Sequence, residues 1–209
     1  MSVQIAYDGW SQTYDAMPNK TRDLEAKSVK NLLENRQFDS ILEMGCGTGK
    51  NTEWLLNISK HILAVDLSAE MLSKAKAKIN TDSVVFKQAN MIEPWAFAEN
   101  KLFDLITFSL VLEHIENLSP IFEKAAKVLN SNGFVYVGEL HPFKQYNGTK
   151  ARFDTESGTE IVECYNHHIS DFTSAALQNG FKIVALKEFF DDEKNLGLPR
   201  ILGLLFQKN

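Results

Sequence analysis

Five short apolar stretches rich in β-branched residues recur through the first two thirds of the chain: Ser40–Gly45, His61–Asp66, Ser83–Ala89, Phe103–Ser109 and Gly133–Leu140. Their length and pattern predict strands. Between them, Gly49–Ile58, Ala69–Ile79 and Leu118–Leu129 carry helical patterning, with a shorter helical segment near Ile92–Phe97. Asp66-Leu67-Ser68 offers N-caps ahead of the second helix, and Asn132-Gly133 a stop after the third. Alternating strand and helix predicts an α/β fold with a largely parallel sheet.

The rest of the chain departs from this rhythm. A helix over Asp171–Asn179 stops at Gly180, and Phe181–Phe190 and Arg200–Gln207 then read as two strands joined by a polar loop. Without a crossover helix between them they should pair antiparallel. Pro142–Ser170 has no strong helical period; turn signals at Asn147-Gly148 and Ser157-Gly158 and alternation over Gly158–Asn166 suggest an insertion over the sheet edge. At the other end, Tyr7–Lys20 reads as an aromatic arm, followed by a helix over Thr21–Asn35 capped by Thr21 or Asp23.

Composition narrows the class. The 209 residues are 44% hydrophobic and 23% charged, as in globular rather than disordered chains. With 22 basic and 27 acidic residues the net charge is −5, opposite to what phosphate backbones select, so no nucleic acid partner is expected. Two cysteines, Cys46 and Cys164, are too few for a disulfide framework and suit a reducing compartment, so a cytoplasmic location is expected. Neither a secretory leader nor a membrane span is recognisable. Nothing resembling a linker or repeat divides the chain, which predicts a single domain over 1–209: arm and first helix in 1–38, core in 39–141, insertion in 142–170 and closing helix with strand pair in 171–209.

The first strand runs directly into Glu43-Met44-Gly45-Cys46-Gly47-Thr48-Gly49 and then a helix, a place where backbone can approach a ligand closely. A dinucleotide fingerprint counted from Gly45 or Gly47 needs a small residue where Lys50 or Thr52 stands. A P-loop ending at Gly49-Lys50 needs Gly and Ser/Thr where Met44 and Asn51 stand. Both fail.

The remaining pattern, E-x-G-x-G-x-G, resembles the first motif of the class I S-adenosylmethionine-dependent methyltransferases, and further matches accompany it. Asp66 ends the second strand, Asp66-Leu67-Ser68-x-x-Met71-Leu72 resembles the family's D-x-S-x-x-M-L, and Phe103–His114 resembles the F-D-x-I-x-x-x-x-x-L-x-H segment of its small-molecule members. The resemblance implies a Rossmann-like, doubly wound, mostly parallel seven-stranded sheet with an antiparallel C-terminal strand. It implies S-adenosylmethionine as cofactor, bound by the loop Gly45, Cys46, Gly47 and Gly49, with Asp66 on the ribose hydroxyls and Leu67 and Met71 against adenine. Asn90 stands where many relatives carry an Asp that accepts from the adenine amino group; Met91 and Ser109 complete the expected contacts. For Glu43 two roles stay open, the methionyl ammonium or the support of the loop. Tyr14 is read as a lid over the cofactor rather than plain packing; Arg22 as a partner for the methionyl carboxylate or a solvated helix residue.

The expected reaction is direct in-line methyl transfer to an oxygen or nitrogen of a small molecule; a catalytically silent cofactor-binding regulator or subunit is the competing class. The [N/D/S]-P-P-[Y/F] motif of base- and glutamine-methylating enzymes is replaced by Ser109-Leu110-Val111-Leu112, and neither cysteine sits where cytosine C5 chemistry needs one. His114 and His141, at the carboxyl ends of adjacent strands, are the candidates for a proton acceptor. The insertion residues Phe143, Tyr146, Tyr165, His167 and His168, with Phe153 and a cationic Arg152 or Lys144, are expected to form the acceptor pocket. Cys164-x-x-His167-His168 matches no established ligand spacing, so no metal is expected.

Overall fold

The computed structural model describes residues 2–149, 152–155, 158–192 and 194–209, with side chains described for all of these except 152–155 and 158–161. In chain order the elements are α1 (Val3–Trp10), α2 (Lys20–Leu33), β1 (Phe38–Met44), α3 (Lys50–Leu55), β2 (Ser59–Asp66), α4 (Ala69–Lys78), β3 (Val84–Gln88), β4 (Phe103–Ser109), α5 (Ser119–Val128) and β5 (Leu129–Leu140). They continue with α6 (Pro142–Tyr146), β6 (Arg152–Thr155), β7 (Gly158–Ile161), α7 (Ile169–Gln178), β8 (Phe181–Phe189) and β9 (Ile201–Lys208). Seven strands form one sheet in the order β3-β2-β1-β4-β5-β9-β8, parallel except for β9, which runs against both neighbours.

The middle strands are apolar on consecutive residues because a parallel sheet is covered on both faces. One face packs on α5 and α7 through Phe122, Phe172 and Ala176. The other packs on α2, α3 and α4 through Val29, Leu33, Leu55 and Leu72. The expected strands and longer helices are present with ends moved by a few residues, but the helical segment expected near Ile92–Phe97 is only a single 3-10 turn over Ala96–Ala98.

Two local expectations change. The cap of α2 is Asn19, whose Oδ1 accepts from the backbone N–H groups of Thr21 and Arg22 at 3.0 and 3.1 Å, displacing Thr21 and Asp23 from that role. The insertion contains the short helix α6, started by His141 as N-cap and Pro142 at its first turn, and the hairpin β6–β7. Instead of covering a sheet edge, its return segment crosses the carboxyl ends of the central strands: Tyr165 N donates to Glu113 O at 2.8 Å and His167 Nε2 to Ile115 O at 2.7 Å. The turn expected at Ser157-Gly158 falls partly outside the described residues, as do the side chains of Arg152 and Phe153.

Candidate active site

The strand order reverses between β1 and β4, so the loops leaving them part and open a crevice at their carboxyl ends. A cavity of about 340 Å³ occupies it. On its floor the glycine loop is pinned to β2, with Gly45 N and Cys46 N both donating to Val65 O at 2.8 and 3.0 Å. Gly45 and Gly47 have φ of +75° and +54°, the left-handed region that favours glycine. A Cβ on Gly45 would come within 2.6 Å of Val111, whereas one on Gly47 would meet nothing within 4 Å and would project into open space beside the cavity.

Asp66 faces this space. Its Oδ2 accepts from Gly47 N at 2.7 Å and its Oδ1 from Ser68 N at 2.8 Å. Each carboxylate oxygen keeps a lone pair for a further donor. Burial raises the carboxyl pKa, and the backbone N–H groups oppose that rise. Leu67, Asn90, Met91, Ser109 and Tyr14 line the same cavity, as the sequence led us to expect. Asn90 Oδ1 already accepts from Ile92 N at 3.0 Å. Met71 does not reach the cavity: it faces inward from α4, 1% exposed, because Met71, Leu72 and Ala75 form the helix face that packs on the sheet. Gly49 does not reach it either; it caps α3 at φ +84°, and a Cβ there would come within 2.8 Å of Ile79.

A smaller recess of about 60 Å³ lies beside the loop, lined among others by Arg22, Glu25, Glu43 and Cys46. Glu43 Oε2 accepts from Thr52 Oγ1 at 2.6 Å, and burial pushes the carboxyl pKa up to about 8. Glu25, which the sequence reading missed, accepts from Asn51 Nδ2 and the Tyr136 hydroxyl, and burial raises its pKa as well. Arg22 is engaged with the arm: it donates to Tyr14 O and Met17 O at 2.6 and 2.8 Å, and its guanidinium lies 4.0 Å from the Tyr14 ring centre. Burial pushes the Cys46 thiol and the Tyr14 phenol upward, the latter to about 12.

The roof is the arm. Ser68 Oγ donates to Asp8 Oδ1 at 2.5 Å, Lys74 to Gln12 at 2.9 Å, and Thr48 and Lys78 to the two oxygens of Asp15 at 2.6 and 2.9 Å. Ser2, Val3, Gln4 and Tyr7 thereby line the cavity. Tyr7 was visible only as one aromatic of a patterned arm; its partner lies more than a hundred residues away. That partner is His114, with Tyr7 Oη 3.0 Å from His114 Nε2. His114 lines the cavity too, and burial lowers its pKa.

His141 is corrected. It is fully buried, its Nδ1 accepting from Phe143 N and its Nε2 lying 3.0 Å from Glu188 Oε1, and it does not line the cavity. The expected acceptor pocket is corrected with it: the insertion meets the arm through Val162, which packs on Ala6 and Trp10, while the five residues named for the pocket face elsewhere. Phe143 and Tyr146 lie side by side on the exposed face of α6 with their rings tilted, and Tyr146 Oη bonds to His168 Nδ1. Tyr165 bonds to Glu163, and His167 is held by Ile115 O and packs on Phe172. None of these five lines the cavity. Behind His114, the ligand-type atoms of Glu113, His114 and Cys164 come within 4.8 Å of one another. Both imidazole nitrogens are already engaged, Nδ1 with Glu163 O at 2.8 Å and Nε2 with Tyr7, so the cluster reads as a hydrogen-bonded group.

The fold and this loop-and-carboxylate floor define a Rossmann-like architecture, and comparison with known proteins says what it is similar to. Residues 42–137 match the profile of the Methyltransferase domain. An uncharacterized methyltransferase of Emericella nidulans is 26% identical over 87% of this chain and 76% of its own length. A ubiquinone biosynthesis O-methyltransferase of Pelagibacter ubique is 26% identical over 59% of this chain, which spans only half the length of that relative. Among solved structures, an S-adenosylmethionine-dependent methyltransferase from Clostridium acetobutylicum superposes with a TM-score of 0.71 at 20% identity, covering 96% of each chain. Residues 42–137 thus carry the match to a methyltransferase domain, and the chain has the fold of the S-adenosylmethionine-dependent methyltransferases.

Proposed function

We propose that this protein transfers a methyl group from S-adenosylmethionine to an oxygen or nitrogen atom of a small organic molecule. The observation that carries the cofactor's placement is Asp66, fixed by two backbone N–H groups beside a glycine whose missing side chain leaves the floor open. Its free lone pairs suit a ribose diol, Leu67 and Met91 offer apolar surface to adenine, and Asn90 retains a lone pair for the adenine amino group. The recess with Arg22, Glu25 and Glu43 suits the methionyl end, with the acids toward the ammonium and the remaining guanidinium capacity of Arg22 toward the carboxylate. Bound there, S-adenosylmethionine supplies a methyl group already activated on a sulfonium.

The chain's own share of the work is alignment, exclusion of water and disposal of one proton. The arm closes the cavity through Asp8, Gln12 and Asp15. His114 is the proton sink at the acceptor end: burial lowers its pKa, and its side chain lines the cavity with Tyr7 on Nε2. Relatives named as O-methyltransferases support a small acceptor, as does a cavity of about 340 Å³ that the arm roofs over. The thiols of Cys46 and Cys164 support a cytoplasmic location. Calorimetry with S-adenosylhomocysteine tests the cofactor, with NADH as control. A panel of phenols, amines and carboxylates, read by release of S-adenosylhomocysteine, tests the acceptor class. Binding of NADH alone would overturn the first reading, and silence across the panel would favour the regulator.

A further inference from the structure

We propose that Tyr7 is the residue that meets the methyl acceptor, taking the acceptor's proton on its hydroxyl oxygen while passing its own to His114. The proposal rests on the methyltransferase reading above and assigns a role to an arm residue outside the glycine-loop motifs. The hydrogen positions follow from chemistry. Glu163 O, 2.8 Å from His114 Nδ1, is a carbonyl and can only accept, so Nδ1 carries the ring hydrogen. Nε2 is then a bare acceptor, and the Tyr7 hydroxyl 3.0 Å away must donate to it. That leaves the lone pairs of Tyr7 Oη, which makes no other hydrogen bond among the described residues, for a donor arriving in the cavity that both side chains line.

The pair sits within an aromatic cluster. The Tyr7 and His114 rings meet edge to face at 5.5 Å, and Tyr7 packs on Trp10 and Tyr14. The next residue, Asp8, bonds Ser68, whose own N–H bonds Asp66, so a single helix ties the acceptor end to the cofactor floor. The proton count closes. The acceptor's lone pair becomes its new bond to carbon while sulfur keeps the electrons of the bond it loses, so positive charge leaves sulfur. The O–H or N–H proton moves to Tyr7 Oη and the Tyr7 proton to Nε2, and the charge reappears as an imidazolium. Glu113 and Cys164, which with Tyr7 are the titratable groups against the ring, stand within 4.8 Å of it; Glu113, held near pKa 7 by burial, is placed to offset that charge. The acceptor class that fits is a neutral phenol or amine, with a proton to give up, rather than a carboxylate.

Histidine ¹⁵N NMR on the complex with S-adenosylhomocysteine reads the pair without turnover. We expect His114 as the Nδ1–H tautomer, with an Nε2 resonance that moves in Tyr7→Phe. An Nε2–H tautomer, or a resonance indifferent to Tyr7→Phe, overturns the proposal. Calorimetry separates this from the cofactor reading: Tyr7→Phe should bind S-adenosylhomocysteine within about threefold of the unaltered protein, whereas an unaltered protein that binds none would sink the cofactor reading itself. With an acceptor found in the panel, Tyr7→Phe and His114→Gln should each lower kcat about 10²-fold at constant KM, and the double variant should be little worse than either. A Tyr7→Phe variant with lower KM and unchanged kcat would mean that the hydroxyl merely blocks the site, and would overturn the assignment.

Discussion

At the scale of single residues, two carboxylates do opposite things. Asp66 is held in place by two N–H donors and offers its remaining lone pairs to the cavity. Asp66→Ala should weaken binding of S-adenosylhomocysteine by about 1.5–3 kcal/mol, the worth of a charge-assisted hydrogen bond, and calorimetry reads it. Asp66→Asn, which keeps one acceptor oxygen for the loop, should lose less. Glu43 has one hydrogen-bond partner among the described residues, Thr52, and burial raises its pKa to about 8. A carboxyl raised in the folded state binds more protons there than in the unfolded chain, so stability falls as pH rises from about 4.5 through 8. Glu25, Glu113 and Glu139, all raised by burial, add to the same slope. The lowered pKa values of buried His114 and His141 oppose this slope below about pH 6.5, so melting temperature should decline from about pH 6.5 to pH 8, and Glu43→Gln should flatten that decline; an unchanged slope would mean that Glu43 is already ionised.

At the scale of elements, the α2–sheet contact shows how tightly the site is supported. Gly138 on β5 pairs with Gly203 on β9, and this notch admits the Glu25–Tyr136–Ser28 hydrogen-bond cluster. A Cβ on Gly203 would stand 2.5 Å from Ser28 Oγ and 2.7 Å from Leu32 Cδ1. Gly203→Ala should cost about 1–3 kcal/mol by overpacking, read as a lowered denaturation midpoint. Gly9→Ala on α1 meets nothing within 4 Å and should leave the midpoint unchanged or raise it slightly. The strands were legible because burial on both faces leaves an apolar run with little ambiguity, and the glycine loop because its spacing follows from close approach of backbone to ligand. The insertion was not, since nothing local in Phe143, Tyr146 or His168 says which way α6 faces. His141 failed for the same reason: its position after β5 suits a site residue, but its side chain turned to cap α6 and meet Glu188. Tyr7 failed in the other direction, its role being created by a contact with His114 that no local pattern encodes.

At the scale of the whole molecule, the arm joins the cofactor floor, the glycine-loop side and α4 through three separate residues, Asp8, Gln12 and Asp15. Each of these bonds is partly solvent-exposed, and an exposed pair such as Lys78–Asp15 contributes little by itself. The arm is therefore the element whose order depends most on what lies beneath it, whereas the far edge of the sheet has no part in the cavity. A ligand that fills the cavity against Tyr7 and Tyr14 should tighten the arm and leave that edge alone. Saturation at about 100 times the dissociation constant should add roughly 2.7 kcal/mol to global stability, a rise of several degrees in melting temperature. Beyond that uniform gain, hydrogen exchange should slow most over Val3–Trp10 when S-adenosylhomocysteine is added, while amides of β8 that exchange by local opening keep their rates. Asp15→Ala should speed exchange in the arm and raise the ligand's dissociation rate with little change at Asp66. Equal protection of α1 and β8 on binding would show that the arm is no separate lid but part of the rigid core.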